Sequence, residues 1–193
     1  MFYLVRHGKT DYSEKDTKIY QGFGVNLAPL SDKGIEDARR AAEDERLSGL
    51  DLILSSPYTR ALQTAAIISE RTGAPIRVET ELHEWLADRK YRYVSDKKAG
   101  KRYRKYIRCE GVYPKGKKKP WEDKASLRAR MDRVLDRYQD AGKVAVVCHG
   151  MIIEAATGEK LKTGGIAEYP GKRDRGPGKP ERALRAGKKK KDS

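Results

Sequence analysis

Residues 143–150 read KVAVVCHG: an unbroken apolar run, then a histidine and a glycine. A run this short, bounded by turn-forming residues, reads as a buried strand over Lys143 to Cys148 that stops where His149 begins. Two other stretches share the form. MFYLV (residues 1–5) runs straight into Arg6-His7-Gly8, and LDLIL (residues 50–54) runs into Ser55-Ser56-Pro57 and a helix carrying Arg60. Two of the three histidines and two arginines therefore stand where strands stop. In α/β folds ligands bind there, because loops converge on a crevice with a rigid floor.

The rest of the chain alternates in kind. Ser31 is an N-cap for a helix with Ile35, Ala38 and Ala42 on one face through about Leu47. Ser56-Pro57 predicts a helix start, cap followed by proline at the first position, and that helix runs to Thr72 before Gly73 and Pro75 stop it. Pro75 to Val78 is a short strand. From Trp85 to Lys124 the periodicity is lost, which predicts an insertion or lid over 86–124. Leu127, Met131, Val134, Leu135 and Tyr138 form a helical stripe ended by Gly142. Gly150 begins another helix, and Gly165 to Tyr169 reads as a last strand. Strands alternating with helices predict a three-layer α/β/α sandwich.

Composition bounds the function. The 193 residues suit one domain, expected over 1–169. No apolar run approaches the roughly 20 residues of a membrane span, and no signal-peptide pattern precedes the first strand. Cys109 and Cys148 lack metal-type spacing, so a reduced, cytoplasmic setting is expected, with no cofactor and no metal. The net charge of +15 is uneven: residues 89–120 carry +12 and residues 170–193 carry +7, leaving −4 for the remainder. The core is ordinary, and the two basic segments need a separate explanation.

The residues at the strand ends support phosphate chemistry. Neutral imidazole is a competent nucleophile toward phosphorus, and the positive charges of Arg6 and Arg60 disfavour protonation of His7. The same guanidiniums can fork onto the oxygens of a phosphoryl group in transfer. Gly8 permits a sharp turn and close approach. Arg60 falls in the first turn of a helix, where free N–H groups already attract an anion. An alcohol leaving group also needs a proton donor, and Glu81 and Glu84 both follow the third strand. A bound phosphate would raise either carboxyl by like charge; Glu84, between His83 and Trp85, has the more apolar setting. Taken singly, each piece has a plainer reading: a turn, a solvated arginine, a satisfied histidine, a surface carboxylate.

Together the pieces resemble the histidine phosphatase superfamily, also called phosphoglycerate mutase-like, over roughly residues 1–169. The carriers are LVRHGKT (4–10), PLSDKGIEDA (29–38), SSPYTRALQTA (55–65), ELHEW (81–85) and VVCHG (146–150). The resemblance implies a mixed, mainly parallel sheet between helices and a metal-independent mechanism through a phosphohistidine. It implies His7 as nucleophile, and Arg6, Arg60 and His149 as the phosphate pocket. Glu84 would protonate the leaving group and then activate water. Six residues after His7 the family often carries an asparagine that touches phosphate; Ser13 stands here and could still donate. Asn26 replaces an acidic residue before the Pro-Leu-Ser motif, and Trp85-Leu86-Ala87-Asp88 replaces a Gly-x-Trp-Glu-Gly pattern. The longer insertion and extra sugar-phosphate contacts of the mutase branch are missing, which favours a phosphatase of a small phosphorylated metabolite, sugar phosphate, nucleotide or phosphoprotein. The alternatives are a phosphomutase, or a non-catalytic module that docks a phosphorylated partner or RNA.

The basic segment 89–120 interleaves Tyr91, Tyr93, Tyr103 and Tyr106 with Arg92, Arg102, Arg104 and Lys105. That mixture suits a polyanionic substrate with a planar part, a charged helix face with its tyrosines turned inward, or a lid. The tail 170–193 has almost nothing to bury, which predicts disorder and at most a loose, salt-dependent attraction to nucleic acid or anionic surfaces.

Overall fold

The computed structural model describes residues 1–14, 17, 20, 22–115 and 117–171. The disorder expected of 170–193 lies outside the described residues, except for Pro170 and Gly171.

Among the described residues five strands form one sheet: β1 (Phe2–Arg6), β2 (Leu52–Ser55), β3 (Ile76–Val78), β4 (Val144–Cys148) and β5 (Ile166–Tyr169). Their spatial order is β3-β2-β4-β1-β5. Only the β1–β5 pair is antiparallel. The mixed, mainly parallel sheet between helices is thus the observed architecture. Leu4 pairs with Val146 and Val5 with Val147. Because strand side chains alternate, these rungs feed opposite faces.

On one face Phe2, Leu4, Leu54, Val146 and Cys148 pack against Leu127, Met131 and Leu135 of α4 (Lys124–Asp136) and Ile152 and Ile153 of α5 (Gly150–Thr157). On the other, Val5, Ile53, Ala145 and Val147 meet Ala41 of α1 (Asp32–Ala42) and Ala61, Ala65 and Ile68 of α2 (Thr59–Thr72). Each fully buried aliphatic side chain contributes about 1.5–3 kcal/mol by its removal from water.

Two helix ends differ from their expected places. α1 stops at Ala42, and Leu47 instead closes a separate short turn capped by Asp44, whose side chain accepts from the Arg46 amide at 3.0 Å. α2 starts at Thr59, not at Ser56-Pro57. Ser56 still follows the sheet, its amide donating to Val147 O at 3.0 Å, and its hydroxyl is bound to His149 at 2.8 Å. It is therefore drawn into the site and does not cap the helix. The C-terminal stop holds: Gly73 takes the left-handed conformation at φ 75°.

The stretch expected to lack pattern contains a helix, α3 (Asp96–Arg108). Its charge density hides the apolar contacts. Tyr106 and Trp121 are buried in the same core cluster as α4 and the sheet, so this segment is anchored to the domain. Among the described residues no helix is long and apolar enough to cross a membrane.

Candidate active site

Parallel pairing of β1 with β4 brings the residues after their ends side by side. The His7 amide donates to Cys148 O at 3.0 Å, and the His7 and His149 rings meet edge to face with centroids 5.0 Å apart. Gly8 and Gly34 make the next turn possible. A Cβ on Gly8 would lie 2.1 Å from Gly34 O, and one on Gly34 would lie 2.0 Å from Lys9 O. Ser31 locks this contact, since its amide and hydroxyl both donate to Lys9 O while its oxygen caps Gly34 N at 3.2 Å. From α2, Thr64 accepts from Gly8 N at 3.1 Å, and Gln63 accepts from Leu30 N at 2.7 Å. The polar letters of PLSDKG and SSPYTRALQT are thus joints between the two faces of one loop.

His7 has a defined tautomer. Its Nδ1 lies 2.7 Å from Gly8 O, which can only accept, so Nδ1 carries the hydrogen. In the neutral ring Nε2 then holds the lone pair, and Arg60 Nε donates to it at 3.2 Å. Burial pushes the His7 pKa down to about 3, Arg60 and Arg6 adding to the shift against the opposing Gly8 carbonyl. Arg60, 5% exposed, also lies over the Tyr58 ring at 4.9 Å.

His149 is fully buried between the rings of His7 and Tyr58. Its Nε2 meets Ser56 Oγ and its Nδ1 has no partner. Burial, then Arg60, hold it well below the usual imidazole range. Arg6 packs flat against Gly150, with one terminal nitrogen donating to Leu161 O at 2.6 Å and a buried Nε without a partner.

Glu84 and Arg60 line the same cavity, of about 240 Å³. Trp85 N donates to one Glu84 oxygen at 2.8 Å, and Met151 N lies 3.5 Å from the other. Burial raises the Glu84 carboxyl, these amides, Arg60 and Arg130 only partly opposing it. Glu81 lies apart: burial pushes its carboxyl up, but Arg133, donating to it at 2.6 Å, and Arg137 together outweigh this and hold it below the usual range. Ser13 is exposed, its amide on Asp11 Oδ1 at 2.8 Å, and it does not line the cavity.

Two features escaped the sequence reading. Tyr58 lines the cavity between Arg60 and His149, with no periodic signal to mark it. Arg130 is buried on α4, donating to Glu81 O, His83 O and Glu84 O while pairing with buried Glu122 at 2.7 Å. Glu122 in turn accepts from Leu86 N at 3.2 Å, so the pair grips both sides of Glu84. A signal existed: Arg130 falls on the apolar stripe between Leu127 and Val134, where a charge needs a buried partner. Among the described residues no cluster of His, Cys, Asp or Glu is placed to hold a metal ion.

A family model described as the histidine phosphatase superfamily (branch 1) matches residues 2–167. The "Putative phosphoserine phosphatase 2" of Hydrogenobacter thermophilus is 40% identical over 83 residues, which is 42% of this chain and 38% of that protein. The "Probable phosphoglycerate mutase GpmB" of an Enterobacter species is 38% identical over 82 residues, 42% of this chain and 36% of that protein. The match thus spans little more than a third of these relatives' own length. Among solved structures, a mycobacterial glucosyl-3-phosphoglycerate phosphatase superposes with a TM-score of 0.61 at 25% identity, covering 81% of this chain and 76% of that one.

Proposed function

The chain belongs to the histidine phosphatase superfamily, and on that premise we propose that it is a metal-independent phosphomonoesterase working through a phosphohistidine on His7. The observation that carries this is the neutral His7, its Nε2 lone pair accepting from Arg60, which lines one cavity together with the raised carboxyl of Glu84.

In the first step His7 Nε2 forms a bond to phosphorus as the ester P–O bond breaks. Glu84 gives its proton to the departing oxygen and becomes a carboxylate. Arg60 leaves Nε2 for the phosphoryl oxygens, and the Arg6 Nε and His149 Nδ1 that lack partners are the further groups available to them. In the second step the Glu84 carboxylate takes a proton from water, whose oxygen attacks phosphorus. The P–N bond breaks and returns its electron pair to Nε2. A mutase would share the first step and differ only in passing the phosphoryl group to a second substrate. The catalytic unit on this reading is 1–169, with 86–124 covering the site.

The test is hydrolysis of an aryl phosphate from mildly acidic to neutral pH, with and without chelator, beside His7→Ala. Chelator-resistant turnover, lost together with acid-labile protein-bound phosphate in the variant, supports the reading. Turnover that survives His7→Ala overturns it.

A further inference from the structure

Above Arg60 and Glu84 the cavity wall is aromatic. Tyr12, Phe23, Tyr58, Trp85, Tyr91 and Tyr93 all line it. Phe23, Tyr91 and Tyr93 are each more than half exposed, an unusual state for large rings that share one concave surface. They are nevertheless held in place. Tyr93 meets Phe23 edge to face at 5.9 Å and lies against Gly22, where an added Cβ would come within 3.2 Å of the ring. Tyr91, itself at φ 57°, is fixed by its hydroxyl on His83 Nε2 at 3.0 Å.

The charges along the same wall give a second, independent observation. Among the described residues the lining holds two cations, Arg60 and Arg92, and three carboxylates, Glu84, Asp88 and Asp96. Arg60 serves the phosphoryl site, and Arg92 is paired with Asp88 at 3.3 Å, which Arg102 also contacts. The other cations of α3, Lys97, Lys98, Lys101, Arg104, Lys105 and Arg108, are exposed and none lines the cavity. Neither lining cation is thus left over for a second phosphate or a carboxylate on the substrate, which would meet the carboxylate of Asp96 instead. A flat ring would face other rings.

We propose that this cavity selects phosphate monoesters carried on one planar aromatic or heterocyclic group, such as nucleoside monophosphates, over aliphatic or multiply anionic phosphates. The proposal rests on the phosphatase reading for the seat of the phosphoryl group. The basic segment thus supplies the planar half of the expected recognition through Tyr91 and Tyr93, while most of its cations lie outside the cavity. Stacking tolerates any ring with a π-face, so the site sorts by flatness more than by hydrogen-bond pattern.

Calorimetry tests this in a His7→Asn background, where no ester is consumed. The probes are adenosine 5′-monophosphate, phenyl phosphate, O-phosphoserine and 3-phosphoglycerate. The two ring-bearing esters are expected to bind about tenfold tighter than the other two, the scale of one stacked ring. Tyr93→Ala and Phe23→Ala, both at exposed positions, bring that ratio to within about threefold. Equal binding of all four esters, or a preference untouched by both substitutions, overturns the proposal. Wild-type turnover of the same esters is read in parallel. Turnover without the preference sinks this inference alone, whereas the preference without turnover sinks the phosphatase reading alone.

Discussion

Replacing Glu84 by glutamine separates catalysis from stability at one position. The shape is kept: the amide oxygen still accepts from Trp85 N, now at 2.8 Å from the carboxylate, and only the long 3.5 Å approach of Met151 N is lost. A lost hydrogen bond of that kind costs about 0.5–1 kcal/mol. Burial has the opposite effect on the charge. Because the folded state raises the Glu84 pKa, it binds more protons than the unfolded chain as pH rises between the two pKa values, and stability falls across that window. Glutamine removes the penalty, so the variant melts at or above the wild-type temperature at neutral pH and loses that pH dependence. Activity moves the other way. Removing a general acid forfeits about 10²–10⁴ in rate, or roughly 3–5 kcal/mol of transition-state stabilisation, where the leaving oxygen needs a proton. The assay is the rate of phosphoenzyme formation, by rapid quench, from an alkyl phosphate and from p-nitrophenyl phosphate, across pH. Phosphoenzyme formation from the alkyl ester should collapse and lose its decline with rising pH, while formation from the aryl ester, a better leaving group, falls far less. Equal losses on both substrates, or an unchanged alkaline limb, would show that Glu84 is not the proton donor.

Three further outcomes follow from the geometry. His7 is depressed to about 3, so the unfolded chain takes a proton first, and stability is lost as pH falls from 6.5 toward 3; acidifying to about pH 4.5 costs roughly 2 kcal/mol through His7 alone. Denaturant titrations should show His7→Asn to be less acid-sensitive than wild type by that amount. Arg130→Met leaves Glu122 buried without its partner and releases three carbonyls, a loss of about 3–5 kcal/mol, whereas Arg130→Met with Glu122→Leu recovers part of it; a double-mutant cycle by chemical denaturation reads both. Gly34→Ala drives a methyl to 2.0 Å from Lys9 O, backbone that cannot step aside, and destabilises by about 3 kcal/mol or unfolds the domain; thermal melting checks it.

β1, β2 and β4 were legible because each is a short apolar run closed by turn residues, and burial of these runs between two helix layers leaves no other state for them. α3 was not, because its thirteen residues include seven lysines and arginines, and a single buried tyrosine, Tyr106, fixes it to the core. The start of α2 was misplaced because Ser56 satisfies the local rule for a cap, while a distant imidazole claims its hydroxyl. Local chemistry proposes such a bond and a tertiary partner decides it.

By itself the sequence determined the α/β class, the positions of His7, Arg60 and His149 at strand or helix ends, and the family resemblance. All three follow from patterns within about ten residues, and parallel strand ends must converge. Only the tertiary structure decided whether Glu81 or Glu84 faces the cavity, how the histidines are kept neutral, and that Tyr106 of the basic segment enters the core while Tyr91 and Tyr93 line the cavity. Those outcomes depend on burial and on partners far along the chain, as with Arg130 gripping the carbonyl of Glu84 across 46 positions. Spacing along the chain carries no information about desolvation, and desolvation sets the chemistry here.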